Sequence, residues 1–218
     1  MNRKQLWWTA AGIGGSLALG AVLWGPIASQ VERARYKVVH RKRNIEIRDY
    51  TPMIVAETEI SGDREHAIRQ GFRTLADYIF GDNTASRVIA MRAAVTQQPG
   101  GQPSSEKIAM TAPVTQQPEN GFWLVRFVMP ARYTTDTLPR PNNPAVMLRH
   151  LEAKRFAAIR FSGVARDTGL QRHTKRLESF IRDKGLRPLS PPAFAFYNPP
   201  WTLPFLRRNE VMIEIAQQ

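Results

Sequence analysis

Apolar residues recur at Ile68, Phe72, Leu75 and Ile79, the i, i+4, i+7, i+11 spacing of one helical face, with Ser61 or Asp63 placed to cap the start and Gly81 to end it. Around this helix the pattern changes to short clusters of alternating and β-branched residues, which read as strands over 36–39, 44–48 and 53–60 before it and over 106–115 and 121–129 after it. The order then repeats. Strand patterns over 145–151 and 155–161 lead through Gly163 to a second helix over 167–184. Leu170, Leu177 and Ile181 face inward there and Gly185 closes it, and strands follow over 193–197 and 210–215. Two strand-strand-helix-strand-strand halves predict an α+β fold: a curved antiparallel sheet or distorted β-barrel with two helices in a pseudo-twofold arrangement.

One local repeat interrupts this scheme. The segment Ala90-Met91-Arg92-Ala93-Ala94-Val95-Thr96-Gln97-Gln98-Pro99 is copied in Ala109-Met110-Thr111-Ala112-Pro113-Val114-Thr115-Gln116-Gln117-Pro118, with differences only at Arg92/Thr111 and Ala94/Pro113. Two short copies are too few for a solenoid. The repeat therefore lengthens one loop or hairpin of a single domain, with the second copy as the strand and Pro113 at a bend or ladder edge.

The first 31 residues differ from the rest. Arg3 and Lys4 precede an uncharged run over 5–31, and a helix over 6–27 would reach about 33 Å, enough for a hydrocarbon core of about 30 Å. Trp7, Trp8 and Trp24 sit near its ends as interfacial residues do. The expectation is an N-terminal hydrophobic helix over 1–31 acting as a membrane anchor, followed by one domain over 32–218. A cleaved signal segment is the close alternative, although Pro26-Ile27-Ala28 makes a poor cleavage site. The basic residues flanking the run give conflicting orientations, and the one adopted places the domain outside the cytoplasm, on the periplasmic side, since a very short tail is readily left behind.

Composition narrows the chemistry. Without cysteine there are no disulfides, thiolate metal sites, cysteine nucleophiles or c-type haem attachment. The formal net charge of +13 is spread along the chain, and no stretch interleaves aromatic and basic residues as a nucleic-acid platform does, so nucleic acid is not an expected partner. The basic run 33–43 beside the apolar segment suits lipid headgroups. None of His40, His66, His150 and His173 lies in a metal or nucleophile motif, and neither a phosphate loop nor a dinucleotide fingerprint is present. The residues describe a binding module with no visible catalytic apparatus.

Four blocks, in order, resemble the SOUL family of haem-binding proteins: Asn44-Ile45-Glu46-Ile47-Arg48-Asp49-Tyr50; His66-Ala67-Ile68-Arg69-Gln70-Gly71-Phe72-Arg73-Thr74-Leu75-Ala76-Asp77-Tyr78-Ile79-Phe80-Gly81-Asp82-Asn83; Lys107-Ile108-Ala109-Met110-Thr111-Ala112-Pro113-Val114; and Tyr197-Asn198-Pro199-Pro200-Trp201-Thr202-Leu203-Pro204-Phe205-Leu206-Arg207-Arg208-Asn209-Glu210-Val211. The resemblance covers about 36–215. It implies a curved sheet flanked by two helices, no enzymatic activity, and haem or a related porphyrin held in an apolar cleft beside the first helix and closed by the loop before the last strand. The corresponding residues are Arg64, Ile68, Arg69, Phe72 and Arg73 on the helix and Trp201, Leu203 and Phe205 in the loop. An apolar wall with cationic forks at its rim complements the disc and two carboxylates of a tetrapyrrole. Some members place a histidine immediately before the tyrosine of the first block, where this chain has Asp49. Haem without a strong axial protein ligand is therefore expected, with His66 and Met110 as possible substitutes. Two other readings stay open: a membrane-associated interaction or structural protein with no haem, and a hydrolase on the same scaffold.

Overall fold

The structure, a computed structural model, describes residues 31–86, 105–199 and 201–217. The apolar run 6–27 and the first repeat copy 90–99 lie outside them. The elements are β1 (Tyr36–Lys42), β2 (Ile45–Tyr50), β3 (Met53–Ile60), α1 (Arg64–Phe80), β4 (Asn83–Thr84), β5 (Val114–Glu119), β6 (Phe122–Val128), β7 (Arg140–Pro141), β8 (Met147–Leu151), β9 (Lys154–Phe161), α2 (Asp167–Asp183), β10 (Ala193–Phe196) and β11 (Asn209–Glu214).

Nine strands form one antiparallel sheet in the order β1-β2-β9-β11-β10-β5-β6-β3-β8, while β4 and β7 pair separately. The expected pseudo-twofold relation is visible in this order. About an axis between β10 and β5, β10-β11-β9 mirrors β5-β6-β3, and each trio takes its outer neighbour from the other half, β2 beside β9 and β8 beside β3. Period-2 alternation gives the sheet two distinct faces. Ile45, Ile47, Ala157, Ile159, Val211 and Ile213 face α2, while Ala56, Val125 and Phe127 face α1. The intervening residues turn to the other face, where side chains from strands as far apart as β2 and β8 line one cavity, so the helix-free face is concave.

The helices begin and end where the sequence predicts. The Asp63 carboxylate accepts from the His66 N–H at 2.8 Å, and Gly81, at φ 131°, donates its N–H back to the last turn of α1. α1 also approaches the sheet closely, because a Cβ on Gly71 would meet Val125 Cγ2 at 2.6 Å.

One expectation is corrected. The predicted strand over 106–115 enters the ladder only at Val114. Before it, Ile108 N–H donates to Ile79 O at 2.8 Å, and Ala112 forms a parallel bridge with Arg33. Its apolar alternation is thus satisfied by the end of α1 and by the start of the described chain instead of by neighbouring strands.

Candidate functional site

α1 lies over β3 and β6 and α2 over β9 and β11, which leaves β10 and β5 as the floor between the two helices. Phe194, Phe196, Val114 and Gln116 point to this side by the strand alternation. Gln116 is fully buried. Its Nε2 donates to Arg64 O at 2.7 Å, and its Oε1 has no hydrogen-bond partner. Trp123 packs toward Phe194, with ring centroids 6.3 Å apart, and fills the end of the floor remote from Phe196.

The predicted apolar stripe on α1 divides between core and surface. Leu75 and Ile79 are buried and Ile68 packs half-buried beside them, whereas Phe72 remains 38% exposed with its ring edge-on to Phe127 at 5.3 Å. The arginines divide as well. Arg64 is drawn into an ion pair with Asp167 of α2 and also donates to Ala165 O at 3.3 Å, so it ties α1 to the start of α2. Arg69 is exposed and pairs loosely with Glu65 at 3.7 Å, and Arg73 is exposed.

The 198–208 loop is shaped by its own backbone. Tyr197 N–H donates to Arg208 O at 3.2 Å and Arg208 N–H to Asn198 Oδ1 at 2.7 Å, closing its base. Arg207 Nε donates to Thr202 O at 2.7 Å, and a short 3-10 turn spans Pro204–Leu206. Gly163 N–H donates to Pro204 O at 2.9 Å. The turn around 163–167 therefore touches both the loop, through Gly163, and α1, through Ala165 and Asp167. Trp201, Leu203 and Phe205 are exposed, the last at 71%. Loop and helix are thus brought to one turn, with large apolar side chains left uncovered on both.

Sequence reasoning missed the concave face. Arg48 and Glu210, both buried, meet there in a two-bond fork, and Arg208 and Tyr197 also donate to Glu210. Arg48 stacks over Tyr36 at 4.5 Å and Arg208 over Tyr197 at 4.0 Å. A cavity of about 460 Å³ lies on this face among Tyr50, Met53, Val55, Phe156 and Met212. A second, of about 350 Å³, adjoins it at Ala34, Met53 and Val128. Neither is lined by any of the eight residues expected at the site.

The possible iron ligands are dispersed. His66 is exposed on the first turn of α1, and Met110 packs half-buried against the core under α1. His173 stacks on Phe161 at 4.1 Å and is held below its usual pKa by burial first and then by Arg172 and Arg176. Asp49 is committed to a two-bond pair with Arg155, at 2.6 and 2.8 Å, which lowers its pKa. Among the described residues no three His, Asp or Glu side chains gather as a metal site.

The chain is thus an α+β half-barrel with an interval floored by aromatic residues between its two helices. The SOUL heme-binding protein family model matches residues 31–214, and the chain belongs to that family. No curated protein matches the chain. Among solved structures it is similar to the C-terminal domain of EcmrR, at TM-score 0.57 and 11% identity over 84% of this chain and 99% of that one. It is also similar to a hydrolase from Listeria innocua, at TM-score 0.53 and 11% identity over 82% of this chain and 94% of that one. At such identities the likeness is one of fold alone.

A tetrapyrrole suits the residues between the helices in kind. Phe196, Val114 and Phe72 carry apolar and aromatic surface, Trp201, Leu203 and Phe205 are exposed on the loop, and Arg69 and Arg73 are exposed on α1, whereas Arg64 is engaged by Asp167.

Proposed function

We propose that the domain binds haem or a related tetrapyrrole reversibly between α1 and the 198–208 loop, by apolar burial with Arg69 and Arg73 at the carboxylates, and that it is not an enzyme. The observation that carries the reading is the exposure of Phe72 together with Trp201, Leu203 and Phe205, on a helix and a loop joined to the same turn. Uncovered apolar groups arranged in this way mark a binding surface. Family membership supplies the ligand class. No axial protein ligand is invoked, since Asp49 is occupied by Arg155 and Met110 is taken up by the core. Haem titration of the full chain in detergent tests the proposal. A saturable shift of the Soret band that weakens on Phe72→Ala or Trp201→Ala is expected, and an unsaturable response would overturn it.

The apolar run 6–27 is proposed to tether this domain to a membrane, with the domain on the periplasmic side. Among the described residues no helix is long and apolar enough to cross a membrane, and 6–27 lies outside them. Retention in the pellet after carbonate extraction is expected of the full chain. A mature N-terminus near Ala28 or Ser29 would replace the tether with a cleaved signal.

A further inference from the structure

Three chain segments meet at one end of the sheet. The β1–β2 turn is fixed there by Asn44 Nδ2, which donates to Arg160 O at 2.7 Å, and by Arg160 N–H, which donates to Asn44 O at 2.9 Å. The turn after β9 is held by Asn209 Nδ2 donating to Gly163 O and by Gly163 N–H donating to Pro204 O, both at 2.9 Å, and the latter also brings in the 198–208 loop.

This end has a distinct surface. Leu203, Phe205 and Leu206, on a loop stiffened by prolines and a 3-10 turn, are 51%, 71% and 58% exposed, and Val164, in the turn after β9, is 51% exposed, which makes an apolar protrusion. Beside it Lys42, Arg43, Arg160 and Arg166 are all exposed. A rigid apolar tip within a collar of cations matches one partner well. The tip gains by entering the headgroup–acyl boundary of a bilayer, and each cation gains from an anionic leaflet. A second copy docking through the same face in a twofold dimer would oppose like charges. A nucleic acid would meet apolar side chains where its phosphates need donors.

We propose that this end of the domain docks on an anionic phospholipid surface, with Leu203, Phe205 and Leu206 entering the interfacial layer and Lys42, Arg43, Arg160 and Arg166 lying at the headgroups. The tip shares Leu203 and Phe205 with the proposed tetrapyrrole site, and the test is run without haem so that lipid docking is read separately from ligand binding. The chain contains no cysteine, so Phe205→Cys, Leu203→Cys and Glu119→Cys each accept a single environment-sensitive fluorophore. Glu119 is exposed on the β5–β6 hairpin at the opposite end of the sheet. The labelled full chain is reconstituted into phosphatidylcholine vesicles with and without phosphatidylglycerol. Probes at 203 and 205 are expected to shift to the blue and to be quenched by doxyl-labelled lipid in the anionic vesicles, while the probe at 119 stays open to aqueous iodide. Arg160→Gln and Arg166→Gln should each weaken the docked population about fivefold, the worth of one cation near an anionic leaflet. Iodide quenching at 203 and 205 equal to that at 119 in both vesicle types would overturn the proposal. So would shielding of 203 and 205 that rises with protein concentration in detergent without lipid, which would assign the surface to a second copy.

Discussion

Arg48 and Glu210 face each other across the concave side of the sheet, Nη1 to Oε2 at 2.6 Å and Nη2 to Oε1 at 2.9 Å, although β9 lies between their strands. Burial by itself would raise the Glu210 carboxyl. Hydrogen bonds and charge from Arg48, with Arg208 and Tyr197 adding to them, outweigh burial and hold it below its ordinary 4.5. The fork joins β2 to β11 and, through Arg208 and Tyr197, to the base of the 198–208 loop.

A carboxylate held low in the folded state contributes stability above its unfolded pKa and loses that contribution as the pH falls through the folded value. The Glu210 contribution is therefore expected to be complete above about pH 4.5 and to be lost progressively as the pH falls from there through the lower folded value. Glu210→Gln should cost about 3–5 kcal/mol at neutral pH, because Arg48 and Arg208 lose their counter-charge in a buried setting. It should also flatten the acid limb of stability. Urea unfolding across acid and neutral pH measures both effects, and an unchanged acid limb would show that the fork does not titrate with folding.

Gly71 is expected to resist substitution despite its helical position. Alanine gains about 1 kcal/mol of helix propensity over glycine. Here its Cβ would sit 2.6–2.7 Å from two atoms of Val125, which belongs to a central strand and is fully buried. Overpacking of that kind costs about 1–3 kcal/mol, so Gly71→Ala should lower the denaturation midpoint and Gly71→Leu should lower it much further. A stabilised Gly71→Ala would mean that α1 sits farther from β6 than 2.6 Å implies.

Those two sites differ in how far the sequence disclosed them. The bounds of α1 were legible because Asp63 and Gly81 are local signals, and strand β3 was legible because its residues carry their own alternation. Residues 106–113 carry an alternation too, but what it packs against, Ile79 and residues 32–34, is chosen by the fold, so the predicted strand began too early. The Arg48–Glu210 fork spans 162 residues and leaves no local trace. At the candidate site, helical spacing placed Phe72 correctly on a stripe with Leu75 and Ile79. It could not show that the stripe runs off the core at Phe72, since that depends on how α1 crosses β6. Similarly, three arginines looked equivalent in sequence, and only the position of Asp167 separates Arg64 from the other two.

That separation gives a test of role. Arg64 ties α1 to α2, so Arg64→Ala should loosen the space between the helices and weaken haem and its dimethyl ester equally. Arg69→Ala and Arg73→Ala should each cost about 0.5–2 kcal/mol with haem and close to nothing with the ester, which lacks free carboxylates. Parallel titrations of the two ligands decide the matter. An ester-insensitive loss at Arg69 or Arg73 would remove both from the carboxylate contact.

The comparison of haem with metal-free protoporphyrin bears on how the ligand is held. Met110 packs half-buried against the core and Asp49 is bound by Arg155, and the proposed reading takes apolar contact, not a bond from the exposed His66, as the main source of affinity. Protoporphyrin is therefore expected to bind about as well as haem, and His66→Ala should leave both affinities unchanged. Phe72→Ala and Trp201→Ala should weaken both by about 2–4 kcal/mol, or 30-fold or more in Kd. Because Phe72 is 38% exposed and Trp201 66% exposed, little of that loss should appear as unfolding, and a thermal melt of each variant checks it. A large preference for the iron complex that His66→Ala abolishes would establish a coordinated haem in place of one held by burial.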